Sequence, residues 1–169
     1  MRSPTLLSFP LALSFLVGCG PPPPQDDVID IVFDPCEPLV IDAPDVTDPQ
    51  REGLVSSIEL WNELLGSQLS LEGDEHAPRI PLVFEKAALA FHGYYDDEEG
   101  IVYINDRLEG RDQIITVAHE LGHTFGLFHV EESVRPSVMN HGNLEHAPND
   151  DDAHAVHEIW GACSDDDAP

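Results

Sequence analysis

Eleven consecutive residues restrict this chain more than anything else in it: His119-Glu120-Leu121-Gly122-His123-Thr124-Phe125-Gly126-Leu127-Phe128-His129. Residues four apart lie about 6 Å along a helix and on one face, so a helix here aims the imidazoles of His119 and His123 at one point. Two neutral imidazoles so placed can share a metal ion, and Glu120, one position on, can reach a water beside that ion without ligating it. His129 comes ten residues after His119. In a continued helix it would lie roughly 15 Å away, far beyond a shared ion whose bonds to nitrogen are about 2.1 Å long. The helix must therefore end between them. Gly126 supplies the means, because glycine takes the left-handed conformation that reverses a chain at little cost.

Three imidazoles leave a fourth position open to solvent, whereas structural zinc sites are usually closed by four protein ligands and rich in cysteine. The expected cofactor is therefore one catalytic Zn2+ ion held by His119, His123 and His129. Water in the open position becomes acidic enough for Glu120, the expected catalytic base, to take its proton during attack on a carbonyl, while the ion stabilises the developing oxyanion. At average residue abundances a chain of this length shows the spacing by chance on the order of once in 10⁵, which sets coincidence aside.

The segment fits HExxHxxGxxH at all five fixed positions and resembles the signature of the metzincin zinc metallopeptidases, closest to their matrixin-like branch, which favours glycine where Gly122 stands. Ser137-Val138-Met139-Asn140 is similar to the Met-turn that packs a methionine beneath the zinc in that family. The resemblance implies a metalloendopeptidase, a hydrolase of protein or peptide substrates, with Met139 and Gly126 as structural support. It further implies that Ile101 to Ile104 is the edge strand that pairs with an extended substrate, and that Asp152 to Gly161 is the C-terminal helix. Departures limit it. His141 stands where astacins and serralysins place a zinc-associated tyrosine, so no tyrosine is assigned to the metal. Pro35-Cys36-Glu37-Pro38 shares only its cysteine and flanking prolines with the matrixin latency segment. Calcium is a second candidate ion, at Asp96 to Glu99 or Asp150 to Asp152, and the remaining histidines read as surface or capping residues. Two other readings stay open. One is a non-catalytic zinc-binding envelope lipoprotein, a binding or adhesion module, which has no need of Glu120. The other is a gluzincin-like site in which Glu131 or Glu132 replaces His129.

The N-terminus speaks to location. Arg2 followed by the apolar Leu6 to Val17 reads as an export signal, and Leu16-Val17-Gly18-Cys19 resembles the lipobox of bacterial lipoproteins. Residues 1–18 are then a signal peptide and Cys19 is the lipidated first residue of the mature chain. The alternative is ordinary secretion with Cys19 discarded. Residues 19–27, with Pro21 to Pro24, read as an extended tether, and 28–169 as one catalytic domain with its core at about 49–163. The expected location is the bacterial cell envelope, lipid-anchored to the membrane and facing the periplasm or the exterior. A net charge of -26, with Lys86 the only lysine, excludes nucleic acid and leaves membrane contact to the lipid anchor alone. The chain is expected to be a monomer. Cys36 and Cys163 flank the folded region, and they either pair as a disulfide or leave Cys36 free to block the metal as a thiolate.

Hydrophobic spacing completes the reading. Leu54, Ile58, Trp61, Leu64 and Leu65 recur three and four apart, which predicts a helix from about Pro49 to Leu65 stopped by Gly66. Short strands are expected at Val28 to Phe33, Leu39 to Ile41, Ile80 to Glu85 and Ile101 to Ile104. A second helix starts near Arg111 and buries Ile114, Ile115, Val117, Ala118 and Leu121, and a third runs from about Pro148 to Trp160. This is an α+β arrangement. With the resemblance it implies a metzincin-like zincin fold, a small twisted mixed sheet packed on the N-terminal and active-site helices with a C-terminal helix beyond.

Overall fold

Periodic apolar residues build helix α1 (Asp48–Leu65), whose buried side carries Leu54, Ile58, Trp61 and Leu65. Its first turn contains Pro49, and the Gln50 side chain accepts from the Thr47 N–H at 2.9 Å. These devices satisfy or remove donors that a helix start leaves free. It stops at Gly66, which turns left-handed (φ 70°) and donates its N–H to Asn62 O. Helices α2 (Gly110–Thr124) and α3 (Asp150–Trp160) follow the expected positions within two residues. The computed structural model describes residues 28–163, so the export signal, Cys19 and the tether lie outside the described residues.

Five strands form one sheet: β1 (Leu39–Asp42), β2 (Leu69–Ser70), β3 (Arg79–Glu85), β4 (Gly93–Asp96) and β5 (Ile101–Asn105), in the order β2-β1-β3-β5-β4. The first four in that order run parallel, and β4 pairs antiparallel with β5. Parallel neighbours need a crossover, and α1 provides it between β1 and the strands that flank it. Leu39, Ile41, Ile80, Leu82, Val102 and Ile104 meet α1 and α2 in one core, with Trp61 edge-on to Phe125 at 5.4 Å. The protein is thus a small α+β domain with a mixed sheet.

Three expectations are corrected. Ile101 to Ile104 is not the edge strand: β5 lies between β3 and β4, and the edge is Gly93–Asp96. That strand is only four residues long and begins with glycine, so alternation was too brief to announce it. Val28 to Phe33 forms no strand, because its amides find other acceptors: Ile31 N–H donates to Asp97 O at 3.1 Å and Phe33 N–H to Thr124 O at 2.7 Å. On α2, Ile114 is only half-buried, and Gln113 is buried in its place. Gln113 fits because Gly53 lacks a side chain that would collide with it, and its amide donates to Gln50 O at 2.9 Å.

Candidate metal centre and its cleft

Helix α2 ends in a Schellman turn that carries the third histidine back to the first two. Leu127 N–H donates to Gly122 O at 3.0 Å and Gly126 N–H to His123 O at 2.9 Å, with Gly126 at φ 95°. The same turn orients His123, whose Nδ1 donates to Leu127 O at 2.7 Å. His119 Nδ1 donates to Val138 O at 2.6 Å. A carbonyl oxygen can only accept, so both rings carry hydrogen on Nδ1 and turn a bare Nε2 lone pair inward. His129 Nε2 lies 3.1 Å from that of His119 and 3.3 Å from that of His123. With His129 in the matching tautomer, three lone pairs converge here and repel each other unless positive charge sits among them. The donor set therefore fits a metal ion that prefers neutral imidazole, zinc among them.

Burial holds these rings neutral. It pushes the His119 pKa down to about 4 and that of His123 to about 3, and it lowers His129 as well, with neighbouring imidazoles adding to each effect. Glu120 is 5% exposed, and burial raises its carboxyl to about 8 against a smaller lowering by the Tyr95 N–H. Opposite it stands Gly93 on β4, where a Cβ would sit 3.1 Å from Glu120 Oε1 and 2.8 Å from Tyr103 O. Only a residue without a side chain lets the edge strand run this close to the carboxylate.

The Met139 turn supports the centre from below. Met139 is buried, and a side chain on Gly122 would collide with its sulfur, so the bare backbone of α2 rests on the thioether. The polar anchor is Asp152 on α3, fully buried. Its carboxylate accepts from Arg135 at 2.8 Å, from Val138 N–H at 3.1 Å and from the Ser137 hydroxyl. It thereby holds the N–H of Val138, the residue whose carbonyl orients His119. Met139 O accepts from Val130 N–H at 2.9 Å, which ties the residue after His129 to the same turn.

Sequence reasoning missed Asp152 and Gly93. It placed Asp152 in a calcium role, yet the carboxylate is consumed by the turn. Among the described residues, neither Asp96 to Glu99 nor Asp150 to Asp152 forms a converging ligand group, and Glu131 and Glu132 are exposed. Cys36 and Cys163 are disulfide-bonded, with Cα atoms 4.8 Å apart, so Cys36 offers no thiolate to the metal. His141 is no ordinary surface residue: its ring lies 4.9 Å from that of His129, and it lines the cleft with His92. That cleft, of about 840 Å³, is walled by β4, Phe91, Phe128 and the chain at Val28 and Ile29, with the three imidazoles and Glu120 at its floor. No protein-family model matches this chain, and no curated protein matches it.

Proposed function

We propose that this chain is a zinc-dependent endopeptidase of the metzincin type that hydrolyses protein or peptide bonds at the bacterial envelope. The observation that carries the reading is the convergence of three imidazole Nε2 atoms beside a buried carboxylate, in a cleft bordered by an edge strand. His119, His123 and His129 would hold the ion, which when bound polarises a carbonyl oxygen and acidifies water. Glu120 takes the proton of the attacking water and returns it to the leaving amine. Burial raises this carboxyl pKa in the metal-free protein, which favours its taking up a proton. The outer side of β4 offers backbone donors and acceptors to an extended peptide, and Gly93 brings the paired chain beside Glu120. The Pro-rich segment would tether the domain to lipid on Cys19; among the described residues no helix is long and apolar enough to cross a membrane.

The test is a mixed peptide library digested by full-length protein and read by mass spectrometry, with and without chelator. Glu120→Ala should retain one zinc per chain and lose cleavage by about 10³-fold or more, the scale of removing a general base together with its electrostatic role. A wild-type protein that binds zinc stoichiometrically and cuts nothing would instead be the non-catalytic lipoprotein.

A further inference from the structure

The sheet face turned away from the helices is aromatic at its β4 end. Leu82, Val102 and Ile104 point into the core, so alternation puts Val83 and Glu85 of β3, Tyr103 of β5, and Tyr94 and Asp96 of β4 on the opposite face. Tyr94 and Tyr103 are cross-strand partners, and their rings stack at 4.7 Å with 10° between planes. Phe91 meets Tyr94 edge-on at 5.6 Å. Tyr94 is 39% and Val83 43% exposed, so this face is open. Phe91 and Tyr94 also line the cleft, which makes patch and cleft continuous.

Carboxylates frame the rings. Packing raises the pKa of both phenols, and Glu85, Asp96 and Glu99 lie close enough to raise them further. Among the described residues none of these three carboxylates is paired with Lys, Arg or His. Aromatic faces carry negative electrostatic potential at their centres and attract cations, and unpaired carboxylates around them add to it. An anionic or purely apolar occupant would leave those charges uncompensated.

We infer that this outer face of β4 and β5 docks a Lys- or Arg-bearing segment of the substrate, so that the enzyme selects basic proteins or peptides. The inference rests on the endopeptidase reading for its register. A peptide antiparallel to β4 places its scissile bond near Gly93 and runs its N-terminal side toward Asp96. The cation therefore belongs within about three residues upstream of the cleaved bond, a span of roughly 10 Å.

The experiment uses full-length, zinc-loaded protein and two quenched peptides of equal length, identical except for arginine or its neutral isostere citrulline at those upstream positions. The expected result is kcat/KM about tenfold higher for the arginine peptide, with the ratio shrinking as salt is added. The triple variant Glu85→Gln, Asp96→Asn, Glu99→Gln should bring the ratio close to one, and Tyr94→Leu should lower it severalfold. Equal rates on the two peptides would overturn the inference, as would a ratio that survives both variants. A parallel arm measures fluorescence anisotropy of labelled forms of both peptides on zinc-loaded Glu120→Ala. If wild type cleaves neither peptide, the endopeptidase reading fails and this arm alone decides: tighter binding of the arginine peptide upholds the docking face, and equal binding removes it.

Discussion

Glu120 shows how much one residue's environment matters. Its carboxyl lies at about 8 in the folded metal-free protein and at 4.5 ordinarily, so burial withholds nothing below pH 4.5 and destabilises increasingly as pH rises through 8. His119 and His123 behave oppositely. Their folded values lie below the ordinary 6.5, so their contribution is complete above pH 6.5 and is lost as pH falls toward 4 and then 3. The window from pH 6.5 to 8 therefore isolates the carboxylate. In chelator-treated protein, urea unfolding should show wild type losing about 2 kcal/mol across that window, while Glu120→Gln stays level. Parallel curves for the two proteins would mean that Glu120 is solvated rather than buried. Asp152 is the counterexample at this scale: equally buried, it is surrounded by donors from Arg135, Ser137 and Val138, and its role is to hold a peptide bond in place.

At the scale of elements, the end of α2 decides the centre. Gly126 at φ 95° occupies backbone space that a Cβ disfavours, although the room around it is sufficient, with Ile159 Cδ1 3.4 Å from where a Cβ would sit. Gly126→Ala should therefore act through the backbone, at about 1 to 2 kcal/mol. Because the turn carries both His129 and the Leu127 carbonyl that orients His123, zinc affinity should fall about tenfold, measured by competition with a chromophoric chelator. Wild-type affinity in that variant would show that the turn does not position the ligands. The edge strand makes a separate point. Ile101 to Ile104 has the stronger strand signal, but burial on both flanks makes it an inner strand. The weaker Gly93–Asp96 takes the edge, with its glycine packed closely against Tyr103 O and Glu120.

At the scale of the whole molecule, the disulfide between Cys36 and Cys163 closes a loop across 127 residues of separation. Loop-entropy models assign such a closure about 4 to 5 kcal/mol, a large share of the 5 to 15 typical of a domain. Reduction, or Cys36→Ser with Cys163→Ser, should lower the unfolding free energy by that amount in denaturant titration. It should not raise peptidase activity, as freeing a blocked metal would. Local spacing was enough to reveal α1, α2 and α3, the need for a turn at Gly126, and the three imidazoles with their neighbouring glutamate. Each of these depends on residues within about ten positions, where helix geometry is fixed by the backbone alone. What belonged to the tertiary structure was the pairing of distant segments: Gly93 against Glu120, Asp152 beneath Val138, Tyr94 on Tyr103, and Cys36 with Cys163. Those contacts follow from strand order and from which surfaces the core leaves open, and neither is encoded in a local period.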